Sequence, residues 1–186
     1  MSDHPVAAGP SAAEVATRIV ETRRAENAVR LHERQSQYSS ILEKFGAKVE
    51  SDSGPLIPRE RHKELAATLR GAGWTFYVTV CASHYLAQKS KKGDDPEHFE
   101  VATVLRAIGP GSHAAVWRVR LEVGQDIDSL VELFAGADWQ EREQYDLVGV
   151  IFKGHPDLRR IMMPDEWEGH PLRKDYAIDT RCEPWR

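Results

Sequence analysis

The stretch Phe99-Glu-Val-Ala-Thr-Val-Leu-Arg-Ala-Ile108, then Gly109-Pro-Gly-Ser112, then His113-Ala-Ala-Val-Trp-Arg-Val-Arg-Leu-Glu-Val123, decides the fold. Aliphatic and β-branched residues fill both alternating sets of 99–108, the pattern of a strand flanked on either side, which places it in the middle of a sheet. In the second segment Trp117, Val119, Leu121 and Val123 alternate with Arg118, Arg120 and Glu122, as in a strand with one buried face. Turn residues join the two, so 99–123 is predicted to form one long hairpin. Gly109 to Ala114 also satisfies the bare glycine spacing of a dinucleotide-binding loop. That motif must open a helix, whereas an alternating strand follows here, so the glycines are assigned to the turn.

Upstream, Trp74, Phe76, Val78 and Val80 alternate with Thr75, Tyr77 and Thr79 and predict another half-buried strand. The polar linker 88–97, with Lys89, Lys91, Lys92, Gly93, Asp94, Asp95 and Pro96, is predicted to be a mobile excursion outside the core. Pro58 suits the first turn of a helix whose Leu65, Ala66 and Leu69 share a face before Gly71, and this helix should cover one side of the sheet. Lys48-Val-Glu-Ser51 reads as a short strand. Ser40 and Glu43 have capping-box spacing for a short helix burying Ile41, Leu42 and Phe45, and the folded domain is expected to begin there. From about Ala12, Glu14/Arg18 and Glu26/Arg30 stand at the supportive i, i+4 spacing. Between residues 21 and 38 the large aliphatics are only Val29 and Leu31, too few for a buried stripe, so a solvated or partner-ordered helical arm is expected. Residues 1–10, with Pro5, Gly9 and Pro10, are expected to be disordered.

Downstream, Ile127, Leu130, Val131 and Phe134 predict an amphipathic helix. Asp138 with Glu141 predicts a capped second helix from Trp139 to about Val148, ended by Gly149. The fold class is therefore α+β, a two-layer mixed sheet covered by helices with an extended C-terminal tail. It divides into an arm (1–38), a core domain (39–152) and a tail (153–186).

A chain of 186 residues holds one ordinary domain with appended arms. Lys and Arg number 25 against 29 for Asp and Glu, a net charge of −4, and no basic stripe stands out, which argues against a nucleic-acid partner. No apolar run approaches the roughly 20 residues that span a bilayer, and the N-terminus lacks the pattern of a secretion signal. Cys81 and Cys182 form no Cys-x-x-Cys pair, which fits a reducing compartment and leaves too few thiolates for an iron–sulfur cluster.

On the helix from Trp139, residues Trp139, Arg142, Glu143 and Asp146 fall at i, i+3, i+4 and i+7, and Glu141, Tyr145 and Val148 share the neighbouring face. Arg142 is expected to hold Glu143 or Asp146 in a partly buried network. Carboxylates beside a guanidinium titrate low, which suits ion pairing better than the acid–base work of a free-standing hydrolase using Glu141, Glu143 and Asp146. His155, His170 and Cys182 could supply three zinc ligands, but their spacing fits no familiar ligand pattern and a turn role is preferred. Phosphate loops and nucleophile elbows are absent. The blocks Gly154-His-Pro-Asp-Leu-Arg159 and Gly169-His-Pro-Leu-Arg173 repeat one pattern in a stretch without apolar period, which gains order by lying on something else.

The run Glu141-Arg-Glu-x-x-Asp146-Leu-Val, with His155 nine residues beyond Asp146 and then Arg159-x-Ile161, resembles the thirty-kilodalton, C-type subunit of NADH:quinone oxidoreductase (respiratory complex I). The resemblance continues through Met163-Pro-Asp-Glu-Trp-Glu-Gly-His-Pro-Leu-Arg-Lys-Asp-Tyr176 and extends loosely back to about Ile41. Val148 and Ala177 depart from the family's usual aromatic and proline, and the first forty residues match nothing diagnostic. The resemblance implies a cofactor-free scaffold of the peripheral arm of a proton-translocating enzyme. FMN and iron–sulfur clusters in other subunits would carry electrons from NADH to quinone there. The chain would lie on the cytoplasmic side of the membrane, associated with it through the complex. Its signature and interface residues would be Glu141, Arg142, Glu143, Tyr145, Asp146, Gly149, His155, Pro156, Leu158, Arg159, Arg160, Pro171, Leu172, Arg173 and Lys174. The tail would cross the quinone-site neighbour, the forty-nine-kilodalton or D-type subunit. An equivalent subunit of a ferredoxin-, deazaflavin- or hydrogenase-linked membrane complex is the alternative.

Overall fold

The structure, a computed structural model, describes residues 12–48, 54–90 and 93–177. In chain order it comprises α1 (Ala12–Lys44), a 3-10 turn (Arg59–Arg61), α2 (His62–Gly71), β1 (Phe76–Tyr85), β2 (Gln88–Ser90), β3 (Gly93–Asp95), β4 (His98–Ala107), β5 (His113–Glu122), β6 (Asp126–Asp128), α3 (Ala137–Val148) and β7 (Ile151–Lys153). The main sheet has the order β1-β4-β5, with both pairs antiparallel. The doubly apolar strand is therefore central, and the hairpin runs in register from His98 opposite Glu122 to Ala107 opposite His113. Beyond β5 the Ile57 amide donates to the Arg118 carbonyl and the Arg118 amide to that of Pro55, both at 2.8 Å. Leu56 thereby adds a parallel bridge, and the sheet is mixed.

One face of the sheet carries the core. Phe99, Val101, Leu105, Trp117, Val119 and Leu121 are buried with Leu65, Ala66 and Leu69 of α2, Ile41 and Leu42 of α1, and Phe45 just beyond it. Pro58 precedes a 3-10 turn and does not open the helix, which starts at His62 and ends on Gly71 as the sequence predicts. Inside this core the Trp117 indole donates to His62 Nδ1 at 3.1 Å. Burial pushes the His62 pKa down to about 3, which keeps the ring neutral and able to accept.

Several elements depart from the reading of the sequence. Helix α1 runs unbroken from Ala12 to Lys44, so Ser40 opens no new helix and the expected boundary between arm and core falls inside a continuous element. Leu42 and Phe45 belong to the core cluster and Tyr38 packs against it, and these side chains carry the helix onto the domain. The Tyr38 hydroxyl donates to the Val116 carbonyl at 2.5 Å, and burial raises its pKa to about 12. Residues 17–30 are exposed, as an arm poor in aliphatics requires.

In β1 a bulge between Tyr77 and Thr79 breaks the two-residue period. Tyr77 and Val80 face the core, whereas Phe76 and Val78 are exposed. The buried face expected of Phe76 and Val78 is thus corrected. Val123 also lies outside its strand and is exposed.

No helix forms over 127–134. Ile127 pairs in parallel with Phe152 of β7, the Ser129 amide donates to the Lys153 carbonyl, and only one turn closes at Leu130–Phe134. Ile127, Leu130 and Phe134 are still buried and Val131 partly so, because a strand followed by a turn presents them to the same core. Within the linker, Gln88–Ser90 of β2 pairs antiparallel with Gly93–Asp95 of β3, the latter exposed as its composition requires and tied by Arg120 to Asp95. Lys48 bridges to Leu56. The remainder of the strand expected there, and the expectation for residues 1–10, fall outside the described residues.

Candidate functional site

Helix α3 lies along the free edge of β1. The Val80 amide donates to Gln140 Oε1 at 3.0 Å, the Ala82 amide to Gln144 Oε1 at 2.9 Å, and Gln140 Nε2 donates to the Val78 carbonyl at 3.2 Å. Four helical residues rise about 6.0 Å and two strand residues about 6.6 Å, so glutamines one turn apart match the strand's outward amides. Gly149 ends the helix at φ 87, as its position predicts. The N-terminal cap is not the expected one. Gly136 occupies that position without a side-chain cap, and Asp138 lies inside the first turn.

Glu141 reaches back to the segment that precedes its helix. It accepts from Ser129 Oγ at 2.6 Å and from the Leu130 amide at 2.8 Å, with 1 % of the residue exposed. Burial raises its pKa, against the lowering effect of those two hydrogen bonds. A raised carboxyl is what acid–base catalysis seeks, but this one has no access to a substrate.

Asp146 is the centre of the arrangement, at 0 % exposure. Its Oδ1 accepts from Arg160 Nη1 at 2.6 Å, and its Oδ2 accepts the consecutive amides of Ile161, Met162 and Met163 at 3.0, 2.7 and 2.8 Å. Burial acts to raise its pKa, yet the bonds from Met163, Arg160, Ile161 and Met162 outweigh burial and leave the pKa lowered. The backbone carbonyl of Asp146 accepts from His170 Nδ1 at 2.8 Å, and the Leu147 carbonyl accepts from the Leu172 amide at 2.9 Å. Arg160 also donates to the Gly169 carbonyl at 2.9 Å. One carboxylate and the end of one helix therefore fasten residues 160–172.

Two further contacts complete the clasp. His155 Nδ1 accepts the Asp157 amide at 3.0 Å, which leaves the proton on Nε2 to be donated to the Asp138 carbonyl at 3.1 Å. Farther along, His84 Nδ1 accepts the Lys174 amide at 3.0 Å while its Nε2 meets Glu97 at 2.9 Å, and the ring stacks on Phe99 at 4.6 Å. Arg173 pairs with Asp175 at 2.8 Å and lies over Phe99.

The expectation for Arg142 is corrected. It donates to the carbonyls of Arg159 and Arg160, both at 3.3 Å, with the Asp157 carboxylate 3.8 Å away, and Arg160 rather than Arg142 neutralises Asp146. The reason is positional, since the tail returns over the helix and brings a second guanidinium to the buried carboxylate. Glu141, Glu143 and Asp146 share no cleft, because the two buried members are saturated by different donor sets. Among the described residues no His, Cys, Asp and Glu cluster is arranged to hold a metal ion, and Cys182 lies beyond them. His84 and Glu97, missed in the sequence reading, anchor the tail's end, and no local pattern announces them.

Of the remaining expected interface residues, Arg159 is exposed and paired with Asp157, Leu172 and Lys174 are exposed, and Pro156 stands at the turn behind His155. Leu158 packs on the core with Tyr145, and Pro171 and Glu143 are half-buried. Trp139 is 69 % exposed on α3, and Met162 projects beside the Asp146 clasp.

Fold and site define an α+β domain fastened by its own C-terminal strap. The chain belongs to the family described as respiratory-chain NADH dehydrogenase, 30 Kd subunit, which it matches over residues 56–181. It is 38% identical over 128 residues to NADH-quinone oxidoreductase subunit 5 of Thermus thermophilus, covering 66% of this chain and 60% of that protein. It is 58% identical over 145 residues to the NADH-quinone oxidoreductase C subunit of Chloroherpeton thalassium, covering 76% and 60%. With the C subunit of Geobacter metallireducens it shares 35% identity over 145 residues, covering 74% and 86%. The chain thus spans about 60% of the length of the first two relatives. Among solved structures, a trypsin-resistant fragment of Nqo5 superposes with a TM-score of 0.52 at 27% identity, covering 69% of this chain and 99% of the fragment. A chain of an archaeal membrane-bound sulfane sulfur reductase superposes at 0.54 and 18% identity, covering 78% and 86%, a likeness of fold. No helix among the described residues is long and apolar enough to cross a membrane.

Proposed function

We propose that this chain is a non-catalytic scaffold subunit in the peripheral arm of a proton-translocating NADH:quinone oxidoreductase. Its partners hold FMN and the iron–sulfur clusters that pass electrons from NADH to quinone. The strap meets the quinone-site subunit on the cytoplasmic side of the membrane. The observation that carries this reading is the Asp146 clasp, in which a buried carboxylate organises four donors from a segment that lacks helix and strand. Such a clasp holds a loop in one shape and presents Arg159, Met162, Leu172 and Lys174 outward, and preordered contacts bind with less loss of entropy. Arg142, Arg160, His155 and Arg173 act by shaping that surface from beneath, a role different from direct contact with the neighbour.

The test is made in the native host. Deletion beyond Lys153, and separately Asp146→Ala, are expected to release the quinone-site subunit from the purified complex and to lower NADH:quinone activity of the membranes. An intact, fully active complex from the deletion strain refutes the scaffold role. The likeness to the sulfane sulfur reductase chain is one of fold, so a related membrane complex with another electron donor can carry the same domain. Co-purified electron-input subunits without an NADH-oxidising flavoprotein would favour such a complex.

A further inference from the structure

We infer that the groove between α1 and the turns at 72–73 and 109–111 is a second docking site, which takes a carboxylate-bearing segment of a neighbouring polypeptide. This rests on the subunit reading only in requiring that a neighbour exists. The groove has a volume of about 620 Å³ and is lined by Arg30, Glu33, Arg34 and Gln37 of α1, with Ala72 and Pro110 opposite.

Its walls are fixed by direct packing. A Cβ on Gly111, at φ +69, would stand 2.6 Å from the Arg30 Cβ and 2.9 Å from the Leu31 amide nitrogen, so the hairpin turn rests on the helix backbone itself. The Arg34 guanidinium lies 5.9 Å from the centre of the Trp74 ring, and the Tyr38 hydroxyl bonds across to β5. The helix would otherwise be a free arm here, yet at this level it is seated on the domain.

Charge identifies the occupant. Arg59, Arg61, Arg118, Arg120, Arg160 and Arg173 each meet a carboxylate. Arg30 and Arg34, one turn apart, have no carboxylate partner among the described residues, which is equally true of the exposed Arg70 and Arg106, but these two line the groove together, and the Glu26/Arg30 pair expected from spacing does not close. Like charges at that spacing weaken a helix by a few tenths of a kcal/mol. Glu33 leaves the lining with one unit of net positive charge. Behind Arg34, His113 has a buried Nδ1 without a partner, and burial together with the Arg34 charge lowers its pKa, so the ring adds no cation. Two guanidinium forks in a preset groove suit carboxylates, which accept two parallel N–H bonds.

The groove is open to solvent, where a lone anion keeps its water and binds weakly. Its volume is instead that of several side chains, the scale of ligand pockets at roughly 300–1,000 Å³. A peptide segment fills such a space and adds apolar contact with Ala72 and Pro110 to the ion pairs.

A photo-crosslinking amino acid replaces Gln37 in the full chain within its assembled complex. The expected product is a crosslink to one Asp- or Glu-containing segment of a neighbouring subunit. Arg30→Glu with Arg34→Glu should reduce that crosslink and retention of the chain about tenfold, and placing Arg at the acidic residues so identified should restore both. The double variant gives up the Arg34 contact with the Trp74 ring, so a small drop in the melting temperature of the isolated chain is expected, and an unchanged circular dichroism spectrum serves as the folding control. Crosslinks confined to this chain, or full retention of the double variant, overturn the proposal. So does stabilisation of the isolated chain by inorganic phosphate that is lost in Arg30→Ala with Arg34→Ala, without any crosslinked polypeptide, which would assign the groove to a small anion. Failure of the subunit reading is distinct, because the parent chain would then co-purify with no other component of the complex.

Discussion

Replacing Asp146 with Ala removes the acceptor of four hydrogen bonds and leaves Arg160 and three backbone amides facing a small cavity. Breaking a buried pair by deleting one partner costs about 3–5 kcal/mol, and each orphaned donor about 1–3 kcal/mol. These do not simply add, because the freed amides regain water once the strap lifts away. The loss is therefore capped at the free energy of undocking the segment from Arg160 to Leu172, and about 3–4 kcal/mol is expected locally. Hydrogen exchange followed residue by residue reads this directly. The amides of Ile161, Met162 and Met163 should exchange about 100- to 1,000-fold faster in the variant, at 1.4 kcal/mol per decade, while those of β4 and β5 stay protected. Asp146→Asn keeps one carbonyl oxygen and should lose about half as much. Unchanged exchange at residues 161–163, or loss of core protection with the strap still closed, would refute the assignment of Asp146 as the organiser. The lowered pKa of Asp146 adds a pH dependence of fixed sign. A carboxyl depressed in the folded state contributes stability above its unfolded value of about 3.9 and loses it as pH falls through the lower folded value, so the strap should open in acid.

Glu141 has the opposite sign, since its folded pKa is raised. Its contribution is complete below the unfolded value near 4.3 and declines as pH rises through the folded value, so Glu141→Gln should flatten the stability profile above about pH 4.5. Equilibrium denaturation across pH checks this, and an unaltered profile counts against it. Gly149→Ala places a Cβ 2.6 Å from His170 Cδ2 at a positive φ, and should lower stability by about 2–3 kcal/mol with displacement of the His170 ring resonances. His84→Ala removes the acceptor for the Lys174 amide and the stack on Phe99. Trypsin should then cut after Arg173 and Lys174 at least about tenfold faster than in the parent, and equal rates would dismiss the His84 anchor.

Much of the sheet was legible because its signals are local. The doubly apolar run of 99–108 and the glycine turn after it specify a central strand and a hairpin without reference to distant residues. Gly149 likewise announced the helix end, because only a left-handed residue closes it there. The failures share a physical cause, which is competition from partners far along the chain. The 127–134 period is helical, yet β7 claims Ile127 and Glu141 claims the Leu130 amide. The bulge after Tyr77 exchanges the faces of Phe76 and Val78, and one inserted residue leaves no compositional trace. The site was legible in its members more than in its wiring. Asp146, His155, Arg160 and His170 were singled out, but three of the four bonds to the Asp146 carboxylate come from main-chain amides, which any sequence could provide. The residues His84 and Glu97, ninety and seventy-seven positions before Lys174, could not be tied to the tail from sequence.

The glutamine pair on α3 carries a consequence for how copies of this protein behave in a crowded cell. An uncovered rim strand invites any stray extended peptide to zip alongside it. Here two amide side chains impersonate the missing neighbour and occupy the outward groups of Val78, Val80 and Ala82. The molecule thereby resists strand exchange with its siblings, and anything that docks on this side has to recognise side chains instead of bare backbone.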